Sequence, residues 1–172
     1  RRCDLSALCR DAVQQAETHA PAGSAKFIVQ VPEHADALID ARLVRTAIYN
    51  LLTNALRATP EDGEITVSLT DTRDFVAIAV ADTGPGLDPA KFDDYRALVR
   101  GGTPLGLGLP LVNQIAQAHG GRLLLTQREG GGSVLHLCLA HLPHTLEDDL
   151  FRAPTIIEDG YTAEEIEFSI LE

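Results

Sequence analysis

Methionine and tryptophan are both absent from this 172-residue chain, and cysteine occurs only three times. The missing methionine, together with an arginine at position 1, leads to the expectation that the sequence is a piece of a longer protein. Cys3, Cys9 and Cys138 have neither the spacing of a zinc site nor that of a disulfide framework. A reducing, cytoplasmic setting fits that usage. Cys138 lies in an alternating apolar stretch and is expected to be a small buried hydrophobe. No apolar run approaches the ~18 residues needed to span a bilayer, and no signal-peptide pattern opens the sequence. Basic residues are also scarce: 14 Lys and Arg stand against 25 Asp and Glu, a net charge of −11. A nucleic-acid-binding surface is therefore not expected. The acidity is uneven, because residues 141–172 hold nine acids and one base while residues 1–140 are close to balance. Hydrophobic residues make up 45 %, enough for one domain with a real core.

Periodicity predicts helices over 4–19 and 41–59, the second capped by Asp40 and stopped by Pro60, and a third over 109–119, stopped by Gly120-Gly121. A short helix is predicted over 91–100. Strands are predicted at 26–31, at ITVSL from Ile65, at Phe75–Ala81, and at the two stretches RLLLTQR and SVLHLCL. The run FVAIAVA is almost wholly apolar, which is the pattern of a strand covered on both faces. The element order implies one mixed sheet with helices packed on it.

The helix over 41–59 carries the first sign of a site. Val44, Ile48, Leu52 and Leu56, with Leu43, Ala47, Leu51 and Ala55, form a wide apolar stripe. The remaining face carries Thr46, Asn50, Thr53, Asn54 and Arg57, with no acid. Most polar helix faces are simply solvated, but those are usually rich in Glu and Lys. Asparagine is a mediocre helix former, and two stand here one turn apart. An Asn oxygen can ligate Mg²⁺, a hard cation usually shared with phosphates, and Arg57 can pair with phosphate oxygens.

Two glycine clusters follow. Asp82 comes directly after the buried strand, in DTGPGL. A turn explains this much, but a carboxylate at the end of a buried strand can also accept a hydrogen bond from an exocyclic amine such as adenine N6. Guanine, with an acceptor there, would be refused. Gly84 and Gly86 would let a flat base approach the backbone. LGLGLP (Leu105 to Pro110) immediately precedes the third helix, where exposed N–H groups suit an anion and Pro110 fits the first turn. No Gly-Lys-Ser/Thr follows, so this is not a P-loop, and it lacks the Rossmann glycine spacing. Each signal is weak alone. Their order is specific: N-x-x-x-N, then D-x-G-x-G about thirty residues on, then G-x-G about twenty residues later.

On these motifs the sequence resembles the GHKL nucleotide-binding family, and within it the catalytic ATP-binding domain of two-component sensor histidine kinases. NLLTNALRATP is similar to the family's N box, DTGPGL to its G1 box, and GLGLPLVNQIAQAHGG to its G2 box and following helix. The resemblance covers roughly residues 4–140. It implies an α/β two-layer sandwich, with a mixed, mostly antiparallel sheet of about five strands and three main helices on one face. By that resemblance Asn54 would bind Mg²⁺ bridging the ATP phosphates, Asn50 would support the metal–phosphate cluster, and Arg57 and Arg100 would reach phosphate. Asp82 would bind adenine N6, Gly84 and Gly86 would shape the base pocket, and Gly106, Leu107 and Gly108 would serve the phosphates and a lid hinge. The family's ATPases carry Glu at the position of Asn50, as a base for water. An amide takes no proton at neutral pH, so Asn50 favours phosphoryl transfer over hydrolysis.

None of the six histidines is followed by an acid, as the family's phosphoacceptor is. The acceptor is therefore expected on a separate dimerisation hairpin of the same parent protein, and the parent is expected to be a homodimer that passes phosphate to a response regulator. The resemblance implies a cytoplasmic domain without membrane contact of its own, in a parent that can be an inner-membrane sensor. Three departures stand out. Phe92-Asp-Asp-Tyr95 lacks the F-box proline, Pro104 replaces a frequent glycine, and Ala58 replaces a frequent aromatic. Alternative readings are a GHKL ATPase, a serine kinase of the anti-sigma type, or a degenerate nucleotide-sensing or protein-interaction module. The chain divides at residue 143 into a kinase domain (1–143) and an acidic extension (144–172). The extension is expected to be partly ordered at most, or docked on the domain or a partner. Thr162 and Glu165 form a capping-box pattern, with Ala163, Ile166 and Ile170 on one helical face, and FRAPTIIED could pair as an edge strand.

Overall fold

A computed structural model describes residues 1–85 and 109–141 and the backbone of 166–168. The elements in chain order are β1 (Arg2–Asp4), α1 (Leu5–His19), β2 (Lys26–Gln30), β3 (Asp36–Leu38), α2 (Ala41–Ala58), β4 (Glu64–Asp71), β5 (Phe75–Asp82), α3 (Leu109–Ala118), β6 (Arg122–Gln127), β7 (Ser133–Ala140) and β8 (Ile166–Phe168). The main sheet has the order β2-β4-β5-β7-β6-β8. The β2–β4 pair is parallel and every other pair in it is antiparallel.

The five predicted strands and three main helices are all present, within a residue or two of the expected ends. The predicted helix over 91–100 falls outside the described residues. Three elements go beyond the sequence reading. β1 and β3 form a separate two-stranded ribbon. β8 adds a sixth strand at the edge of the main sheet, so the backbone at Ile166 is extended where a helical face was expected. Ladder hydrogen bonds to β6 hold that segment, whereas an isolated turn of helix has only its own nucleus.

The core lies between the sheet and the helices. Leu5, Ile48, Leu51, Leu52, Ile65 and Ile78 are fully buried. The stripe of α2 supplies Val44, Ala47, Ile48, Leu51, Leu52 and Ala55, as its spacing predicts. Leu43 and Leu56, at the margins of the stripe, are half-buried. Cys9 belongs to this core, and burial pushes its thiol up to about 12, so it is unreactive.

Asp4 ties the start of the chain to this frame. It is the N-cap of α1, and Oδ1 accepts from the backbone N–H of Ser6 at 3.1 Å and of Ala35 at 3.0 Å. His34 Nδ1 lies 3.0 Å from Oδ2. The Ala35 N–H, then His34, holds the carboxyl down from 3.8 to about 2. Asp4→Ala is expected to cost about 1 kcal/mol at neutral pH, the usual worth of such a cap. Because the folded value is the lower one, the contribution is complete above 3.8 and is lost as pH falls through about 2. Denaturant melts of both proteins at pH 7 and pH 2 should show the difference shrink markedly at the lower pH.

Candidate nucleotide-binding site

α2 holds the polar face in place through its buried stripe. Asp40 Oδ1 accepts from Leu43 N–H at 3.1 Å and fixes the start of the helix. His119, at the end of α3, clamps the same point. Its Nε2 accepts from Asp40 N–H at 3.0 Å, so its Nδ1 donates to the Ile115 carbonyl at 2.8 Å. Near the other end of α2, Asn50 and Asn54 are half-buried and Arg57 is exposed. Among the described residues, neither asparagine side chain has a hydrogen-bond partner. Ala58, the departure from the family pattern, is exposed.

Asp82 ends β5 and is 6 % exposed. Its carboxylate is held at both oxygens. Oδ1 accepts from Gly84 N–H and Oδ2 accepts from the Ser133 hydroxyl, each at 2.9 Å. Each carboxylate oxygen has more than one acceptor direction, so the group stays able to accept from an amine. Gly84 joins this carboxylate to α2. A Cβ at Gly84 would collide with the carbonyl oxygen of Ala58 and press on Asp82 Oδ1. The last turn of α2 therefore closes against the segment after β5 only because residue 84 has no side chain. Gly132, at φ +99°, passes even closer to the backbone carbonyl of Asp82, which leads β7 in with the Ser133 hydroxyl on the Asp82 carboxylate. Gly84→Val is expected to force these elements apart and cost about 1–3 kcal/mol, visible as a lower melting temperature.

The structure thus brings together Asp82, Gly84 and the helix that carries Asn50, Asn54 and Arg57. Gly86, Arg100, Gly106, Leu107, Gly108, Pro104 and the Phe92–Tyr95 motif lie outside the described residues. Sequence reasoning missed Ser133. The β5–β7 register carries the signal, since Ala81 pairs with Val134, and Asp82 and Ser133 are the adjoining residues of the two strands. It also missed Thr83, whose Oγ accepts from Glu64 N–H at 2.9 Å and secures the strand end on β4.

The profile of a family described as "Histidine kinase-, DNA gyrase B-, and HSP90-like ATPase" matches residues 39–144. That span runs from the N-cap of α2 to just beyond β7 and contains the whole candidate site. Among curated proteins, the chain is 34 % identical over 143 residues to the adaptive-response sensory kinase SasA of Gloeothece citriformis, covering 78 % of this chain and 36 % of the relative. It is 35 % identical over 126 residues to the histidine protein kinase DivJ of Caulobacter vibrioides, covering 67 % of this chain and 20 % of the relative. The chain therefore spans about a third or less of the curated relatives it matches. Among solved structures, the ATP-binding domain of PrrB from Mycobacterium tuberculosis superposes with a TM-score of 0.69 at 26 % identity, over 83 % of this chain and 98 % of that one. The catalytic domain of the histidine kinase ThkA has the same fold, with a TM-score of 0.74 at 23 % identity over 82 % and 95 % of the two chains. With a profile match over more than half its length, the chain belongs to the histidine kinase-, DNA gyrase B- and HSP90-like ATPase family.

Proposed function

We propose that this chain is the ATP-binding catalytic domain of a two-component sensor histidine kinase. It binds Mg-ATP and transfers the γ-phosphoryl group to a histidine on a separate dimerisation hairpin, for relay to a response regulator. The observation that carries this reading is the pair of half-buried amides at Asn50 and Asn54, on a helix whose end closes against Gly84, which itself holds the Asp82 carboxylate. The donor set fits the ligand. Asp82 presents an acceptor suited to adenine N6, Gly84 lets the end of α2 close beside that carboxylate, and Asn54 offers a hard oxygen to Mg²⁺. Asn50 and Arg57 add polar and positive groups for phosphate, with Arg100, Gly106, Leu107 and Gly108 as further phosphate candidates. The bound metal would neutralise charge on the transferring phosphate. Asn50 cannot act as a base at neutral pH, so water is not activated from this position, and catalysis rests on positioning. This favours the kinase over the ATPase alternative.

The partners are the hairpin of the same parent protein and a response regulator, and the setting is the cytoplasm. Among the described residues, no helix is long and apolar enough to cross a membrane. Adding ATP, Mg²⁺ and the parent's isolated histidine hairpin should yield acid-labile, base-stable phosphohistidine on the hairpin. Asn54→Ala should lower that yield by roughly 100-fold, as expected when a metal-positioning group is lost. ATP hydrolysis at an equal rate without the hairpin, and no phosphohistidine with it, would remove the kinase reading. Absence of ATP binding would leave only an interaction module.

A further inference from the structure

The sheet has a second face, turned away from the three helices. In β5, β6 and β7 one alternation, including Ile78, Leu123 and Leu137, joins the core under the helices. The other alternation carries Phe75, Ala77, Leu124, Thr126, His136 and Cys138, and these are only 6, 3, 0, 3, 1 and 0 % exposed. Side chains on a sheet stand roughly perpendicular to it, so on a bare face their tips meet water. Exposures near zero require atoms above them. Among the described residues the apolar cluster here consists of Phe75, Ala77, Leu124 and Cys138, all from the sheet itself. The burial is also confined. On the same face Ser68 of β4 and Ala79 and Ala81 of β5 are only half-buried.

The path of the chain limits what can lie there. β7 ends beside Phe75, and the next residue, His141, contacts Asp71 at that end of the sheet. The chain re-enters the sheet at Ile166, paired with Leu125, which itself pairs with Leu135, well back along β7. β8 is thus parallel to β7 with β6 between them. The return needs only about 19 Å, from about 17 Å along β7 and two strand spacings across, or about six extended residues at ~3.3 Å each. Residues 142–165 are far more than that. On the helix side, α3 already packs on β6 and β7. The segment is also suited to the patch. Leu146, Leu150, Phe151, Ile156 and Ile157 supply apolar groups, and seven acids against one base complement Arg122, which shares the outer face with its register partner Cys138.

We propose that residues 142–165 dock on the outer face of β5, β7 and β6, fastened at their far end by β8. The acidic extension is then a third layer of the domain over one end of the sheet, and this holds whatever reaction the domain performs.

The two buried cysteines, Cys9 and Cys138, make the test self-contained. In the intact chain, iodoacetamide labelling read residue by residue should leave Cys138 as slow as the core residue Cys9. In a chain ending at His141, Cys138 should label at least roughly 100-fold faster while Cys9 stays slow, since only the cover has gone. His136, which burial pushes down to about 4, should return toward its ordinary value of 6.5 when followed by NMR. Fast labelling of Cys138 in the intact chain, or unchanged protection in the shortened one, would overturn the proposal. So would protection in the intact chain that grows with protein concentration, because a second copy would then be the cover. If the shortened chain loses its fold, seen as fast Cys9, the intact chain carrying Leu150→Asp and Phe151→Asp decides. Faster Cys138 with slow Cys9 supports the docked segment, and no change refutes it.

Discussion

Asp82→Asn is expected to weaken Mg-ATP binding roughly 100-fold, a loss of about 2–3 kcal/mol, while leaving the fold intact. The carboxylate can only accept. Oδ1 is held by Gly84 N–H and Oδ2 by the Ser133 hydroxyl, so neither oxygen is free to turn away. In the asparagine variant the amide oxygen keeps the Gly84 bond and the NH₂ group takes the place of Oδ2. The Ser133 hydroxyl can reverse to accept, so the protein tolerates the change. Adenine N6 cannot reverse, and two donors then face each other in a buried site, which costs more than a missing bond. Ser133→Ala separates orientation from chemistry. It keeps the acceptor but removes one restraint, and should weaken binding about 3- to 10-fold, near 1 kcal/mol. Calorimetric titration of the three proteins checks the order. Equal affinity for wild type and Asp82→Asn would mean that the base does not meet this carboxylate.

The second large effect is on stability. Burial pushes His136 from 6.5 down to about 4, and its Nε2 shares a 2.9 Å hydrogen bond with Thr126 Oγ. The unfolded chain takes up a proton on this ring as pH falls below 6.5, and the folded chain does not do so until about 4. Stability from this position is therefore complete above 6.5 and drains away between 6.5 and about 4. The shift corresponds to roughly 3 kcal/mol at the acid end. His136→Gln has no proton to gain, so its stability should fall less over the same interval. Urea melts of both proteins at pH 7.5 and pH 4.5 compare the two slopes directly. Parallel slopes would mean that His136 is solvated.

Much of this was legible in the sequence because it is local. The α2 stripe follows the helical repeat, and the same repeat sets Asn50 and Asn54 one turn apart on the other face. Asp82 was marked by position alone, as the first charge after seven apolar residues. The reading of FVAIAVA as covered on both faces holds for its first half, since Phe75, Val76, Ala77 and Ile78 are all buried, while Ala79 and Ala81 are half-buried. What escaped was tertiary. β1 and β3 have three residues each, too few for any alternation to register, and they form only against each other. Ser133 looks like an ordinary strand opening until β5 and β7 are set in register. Ile166 carries a helical pattern, but the free edge of β6 offers it hydrogen bonds that a lone turn cannot match.

The bond between Asp82 and Ser133 joins residues 51 apart in sequence. Closing so long a loop costs more entropy than forming the local helices or the β4–β5 hairpin, so it is expected to come after them. The carboxylate is held at both oxygens only once β7 has paired, so a nucleotide that meets it as proposed would prefer the completed sheet to its precursors. A ligand with that preference draws the chain toward its finished state, by about 2.7 kcal/mol at a concentration 100 times its Kd. During synthesis, no chain that stops short of residue 133 can hold the nucleotide this way. A nucleotide bound to Asp82 as proposed would then also be a late folding ligand for this chain.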